Sequence, residues 1–135
     1  MLFRSPDIAL IGCTGNAADL LPGMANQSNV WFDNATPGSS GATTNWTVLG
    51  TASSFGPEVG CGFVVANARS DQQLALVKVS KWATSIDDWR LAGNTCFISL
   101  TDRIAIVAAR LNAQQLAGEI TGWYWAGFCW MQGEA

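Results

Sequence analysis

The sequence predicts an α/β domain: a parallel sheet with helices on its faces. Short apolar runs alternate with segments of helical periodicity. The runs are almost wholly apolar instead of alternating, as in strands covered on both faces. Three of them end in polar, glycine-bearing or small-residue turns, where ligand crevices form in such sheets.

The elements follow in order. Ile8-Ala9-Leu10-Ile11 reads as a buried first strand, and Gly12-Cys13-Thr14-Gly15-Asn16 as the turn after it. Val30-Trp31-Phe32 is a second short strand. Residues 33–45, rich in Gly, Ser, Thr, Asn and Pro, read as a surface loop. Gly56-Pro57-Glu58 opens a helix: Pro at the first position loses no useful N–H, and Glu in the first turn suits the helix dipole. Val59, Phe63 and Ala66 recur at helical spacing, and Arg69-Ser70-Asp71 ends the segment. Leu74-Ala75-Leu76-Val77-Lys78-Val79 is the next strand, with residues 80–85 as its turn. A long helix over about residues 98–117 carries the stripe Ile104, Val107, Ala108, Leu111 and stops at Gly118. Residues 125–131 read as a last buried strand and Gln132-Gly133-Glu134 as its turn. A buried strand needs a layer on each face, and none follows this one. The expectation is one domain over residues 1–135, incomplete at its C-terminus.

Composition narrows the function. Charged residues make up 13% of the chain against roughly 25% in an average soluble domain, so the chain is core-rich. A net charge of −3 without a basic stretch argues against nucleic acid as a partner. No apolar run is long enough to span a membrane. The start is interrupted by Arg4, Pro6 and Asp7 and does not read as a secretory signal, which makes the cytoplasm the default expectation. The chain has no histidine, so these residues alone cannot supply a Ser-His-Asp or Cys-His mechanism. Cys13, Cys61, Cys96 and Cys129 form no C-x-x-C pair, and no metal or cofactor is expected. Asp87-Asp88 is the sole adjacent carboxylate pair and reads as a polar loop beside Trp89 and Arg90. Seven tryptophans are compatible with a sugar ligand, and Trp82 and Trp89 are the two placed at a strand end.

The ending Trp130-Met131-Gln132-Gly133-Glu134-Ala135 resembles a block of the sialate O-acetylesterase-type carbohydrate esterases of the SGNH hydrolase superfamily. Gly56-Pro57-Glu58 is similar to that family's Gly-Pro-Glu helix start. Leu76-Val77-Lys78-Val79-Ser80-Lys81, followed by Thr84-Ser85-Ile86, looks like its strand leading into a Lys-Gly-Gly-Thr-Ser loop. The resemblance implies a flavodoxin-like three-layer sandwich, an acetylated carbohydrate as substrate, and ester hydrolysis by a Ser nucleophile with a His base. Within it, Gln132 would be an oxyanion donor. Gly133, Glu134, Trp82, Ala83 and Thr84 would lie against substrate.

The chain departs from that pattern at the nucleophile. The family's Gly-Gln-Ser-Asn follows the first strand. Here one alignment puts Gly15 at the serine position, and another treats the block as deleted. Asn26-Gln27-Ser28-Asn29 imitates the motif and offers Ser28 as a substitute nucleophile, without a strand immediately before it. Trp82-Ala83 replaces the Gly-Gly pair. The expectation is an acetylesterase family member that is catalytically inactive as given. The alternative is a non-catalytic carbohydrate-binding domain.

Overall fold

The computed structural model describes residues 23–24, 26–37, 45–50, 57–81, 83–90 and 92–130. Its elements are β1 (Asn26–Ala35), β2 (Thr47–Gly50), α1 (Pro57–Ala68), β3 (Leu74–Val79), α2 (Asp87–Arg90) and α3 (Thr95–Leu116). The three strands form one mixed sheet in the order β2-β1-β3. β1 pairs antiparallel with β2, and in parallel with β3 from Val30↔Leu74 to Ala35↔Val79.

Alternation along the strands sorts the core into two halves. Val30 and Leu76 pack with Leu49 of β2 and with Val59 and Ala66 of α1. Val77 and Val79 pack with Trp89 of α2 and with Cys96, Val107 and Leu111 of α3. The stripe expected on the long helix is the one it buries: Val107 and Leu111 are core, and Ile104 packs at its border. α3 stops as the sequence indicates. Gly118 takes φ +76°, its N–H donates to Gln115 O, and Glu119 N–H donates to Gln114 O. That is a Schellman turn, which a Cβ would strain.

Among the described residues, each half of the core holds a buried ion cluster. On the α1 side Lys78 Nζ donates to Glu58 Oε1 at 2.9 Å. On the α3 side the Asp33 carboxylate, fully buried, accepts from Arg103 Nε and, at 2.9 Å, from Arg110 Nη1. Arg103, Val107 and Arg110 fall at i, i+4 and i+7 of one helix face. The Arg110 guanidinium also lies 4.8 Å from the centre of the Trp46 ring, which stacks on Trp31 at 5.6 Å and donates Nε1–H to Gln114 Oε1. These contacts tie the approach to β2 down onto α3.

The parallel flavodoxin-like three-layer sandwich is not what forms. The sheet has three strands among the described residues, and one of its two pairings is antiparallel. Thr47-Val48-Leu49-Gly50 is too short to stand out as a strand in the sequence, yet it returns beside β1. Asp33, Asn34 and Ala35, read as loop, extend β1, because Asp33 finds two guanidinium partners inside the core. The expected last strand also fails. Residues 119–130 carry no helix or strand, and Tyr124, Trp125 and Phe128 are exposed. An apolar run does not by itself distinguish a ladder from other uses. Here the aromatic rings pair with one another: Trp123 with Trp125, Phe128 with Trp130, and Trp130 with Trp89. Asp87 and Asp88 lie in α2 rather than in a loop; Asp87 pairs with Arg90, and Asp88 accepts from the Ser85 N–H at 2.7 Å. The expected first strand at residues 8–11 lies outside the described residues.

Two substitutions test this packing. A Cβ at Gly62 would meet Leu49 Cδ2 at 2.5 Å, Gln27 Oε1 at 3.0 Å and Leu76 Cδ1 at 3.2 Å. Gly62→Ala gains about 1 kcal/mol of helix propensity, but overpacking costs about 1–3 kcal/mol. A net loss of stability is expected in urea unfolding; a gain would show that the core relaxes. Asp33→Asn keeps the shape and removes the charge that the buried Arg103 and the half-buried Arg110 face. A loss of about 3 kcal/mol is expected by the same measurement.

Candidate functional site: an aromatic cleft

The Schellman turn at Gly118 sends the chain from the end of α3 across the molecule. The strap it starts, residues 119–130, is held at both ends of β3. Tyr124 Oη donates to Gln72 Oε1 at 3.2 Å, just before β3, and Trp130 meets Trp89, beyond the end of β3, edge-to-face at 5.4 Å. Trp123 Nε1 donates to Asn112 Oδ1 at 3.0 Å, and Gln115 Nε2 donates to Thr121 O at 3.4 Å, which fastens the strap to α3.

Between this strap and the sheet lies a cleft of about 920 Å³. That is in the range of small-molecule sites. Val77, Val107 and Leu111 reach it from the core. Its aromatic walls are Trp31, Trp123, Tyr124 and Trp125. Asp71, Gln72, Gln73, Glu119 and Thr121 supply polar groups. Trp123 and Trp125 stand nearly perpendicular, 86° between planes and 5.6 Å between centres, an edge-to-face pair.

The residues expected to form a site do not gather here. Gln132, Gly133, Glu134, Gly15 and Trp82 lie outside the described residues. Ser28 is exposed on β1, in the stretch where the β1–β2 register shifts between Gln27 and Trp31. Among the described residues its hydroxyl has no acidic or basic partner. Ala83 is exposed and takes φ +52°, a backbone conformation L-residues seldom adopt. Thr84 is buried: its hydroxyl donates to Lys81 O at 3.1 Å and accepts from Trp89 Nε1 at 2.9 Å. Trp89, placed at a strand end by the sequence, is a core residue and not part of the cleft.

Sequence reasoning missed the cleft-lining set. Trp125 falls in the run 125–131 that the sequence assigns to a strand, and Trp123 lies just before it with no role assigned. The signal available was their density: three of the seven tryptophans, Trp123, Trp125 and Trp130, fall within eight residues.

Two of the thiols, Cys61 and Cys96, are poor nucleophiles at neutral pH. Burial pushes the Cys61 thiol above its ordinary 9.0, and the nearby Cys129 raises it further. Burial also raises Cys96; Lys81 opposes the rise and Asp88 adds to it. No group of three or more His, Cys, Asp or Glu could hold a metal among the described residues. No helix there is long and apolar enough to cross a membrane.

The chain matches no protein-family model, no curated protein and no solved structure.

The thiol environment has a measurable consequence. A raised pKa leaves less thiolate at a given pH, so alkylation of Cys61 should reach half its limiting rate above pH 9.0. Cys129→Ser removes the smaller of the two raising causes. The midpoint should then fall but stay above the ordinary value, read by mass-spectrometric mapping of the labelled cysteine. An unchanged midpoint would show that Cys129 does not act on Cys61.

Proposed function

We propose that this chain is a non-catalytic carbohydrate-binding domain, with the cleft under the 119–130 strap as its site. The observation that carries this reading is the wall of Trp31, Trp123, Tyr124 and Trp125 set beside Gln72, Gln73, Asp71, Glu119 and Thr121. A sugar ring has apolar C–H faces and a polar rim. Aromatic faces match the first, and amide, hydroxyl and carboxylate groups match the second. Hydrolysis has no comparable support. The chain holds no histidine, its perturbed thiols are shifted toward the protonated form, and the exposed Ser28 has no base beside it among the described residues.

A second reading keeps the chain with the carbohydrate O-acetylesterases. The Trp130-Met131-Gln132-Gly133-Glu134 block favours it, and an acetylated sugar is the ligand both readings share.

One experiment separates them. The purified chain is titrated with acetylated and unacetylated oligosaccharides while tryptophan fluorescence and released acetate are followed together. A saturable fluorescence change is expected, weakened about tenfold or more by Trp125→Ala, with acetate no higher than in buffer. No saturable change with any sugar would overturn the binding reading. Acetate release that Ser28→Ala abolishes would establish the hydrolase instead.

A further inference from the structure

Resting on the carbohydrate reading, we propose that the cleft selects a positively charged sugar, a protonated amino sugar, over neutral and carboxylate-bearing ones. Two carboxylates border the cleft, Asp71 and Glu119, and no Lys or Arg does so among the described residues. Neither carboxylate is ion-paired among the described residues. Glu119 accepts one neutral hydrogen bond, from Gln114 Nε2 at 3.2 Å.

Both acids line the cleft. Asp71 adjoins Gln72, which Tyr124 holds, and Glu119 begins the strap that carries Tyr124. The aromatic walls add charge preference of the same sign. The face of an indole or phenol ring is the negative part of its quadrupole and attracts a cation. Trp123 and Trp125, set edge-to-face at 86°, are two of the rings that line the cleft.

An ammonium group on a sugar in this cleft is therefore stabilised twice, by ring faces and by free carboxylates. A carboxylate on the sugar meets repulsion from both. Gln72 spends Oε1 on Tyr124, which leaves its amide nitrogen for a sugar hydroxyl. Among the described residues, the cation that lies over an aromatic ring is away from the cleft lining: Arg110 sits over Trp46 and is tied to Asp33.

The test compares three disaccharides of equal size: one of glucosamine, its N-acetylated counterpart, and one containing glucuronate. Binding is read by tryptophan fluorescence at a pH where the amine is protonated and both carboxylates are ionised. The glucosamine form is expected to bind about tenfold tighter than the N-acetylated one, each carboxylate contributing about threefold at about 6 Å in a water-like dielectric. Added salt should shrink that ratio. The double variant Asp71→Asn, Glu119→Gln should bring it to about one. Glucuronate should bind weakest. Equal affinity for the amino and N-acetylated forms, or a ratio unmoved in the double variant, overturns this proposal and leaves the carbohydrate reading standing. No saturable binding by any of the three overturns both.

Discussion

The Asp33 carboxylate is the group on which the rest of the arrangement depends. It is fully buried in the middle strand and shared by two guanidinium groups seven residues apart on α3. A charge without water must be paired, and the pairing is directional. It fixes which face of α3 meets the sheet and where along the helix the contact falls. Val107 then lands in the core, and Arg110 is placed over Trp46. The other cluster, Lys78 with Glu58, performs the same task for α1 on the opposite face. Lys78 stands at Asn34 in the parallel register, one residue from Asp33 on the neighbouring strand. The sheet is thus pinned from both sides at nearly the same level.

What the sequence made legible was local. α1, β3 and α3 announce themselves by apolar period, an N-terminal Pro-Glu and a C-terminal Gly, and each lies where those signals put it. What it hid depended on distant partners. Asp33 looks like the first polar residue of a loop until Arg103 and Arg110, some seventy residues on, are brought to it. β2 is four residues long and gains its strand character from β1 alone. The aromatic run after residue 122 has the composition of a buried strand, yet its rings are satisfied by one another and by Trp89. The sheet expected from the run therefore lacks a strand. The site expected from motifs shares no described residue with the cleft: Thr84 serves as a hydrogen-bond post for Trp89, and Ser28 lies exposed on β1.

The cleft follows from how α3 ends. A helix that ran on would have carried Trp123 and Trp125 to separate faces. The left-handed Gly118 turns the chain instead, and the bonds from Trp123 to Asn112 and from Tyr124 to Gln72 hold the strap away from the sheet. The fixed rings then line a space instead of filling it. What the cleft holds in position, among the described residues, are aromatic rings with polar groups beside them.

β3 ends the sheet on one side, and among the described residues it pairs only with β1. An outer strand of nearly unbroken Leu, Ala and Val is a template for a further strand from any source. Edge strands commonly discourage such pairing with an outward lysine, but the lysine of β3 is spent inside, on Glu58. Among the described residues the strap is fastened before and after that strand, at Gln72 and at Trp89. Loosening it, by loss of the Tyr124 or Trp130 contact, would free a run that already exposes Tyr124, Trp125 and Phe128. Solubility and the shape of the cleft would then fail together, because residues 119–127 both line the cleft and carry exposed aromatic rings.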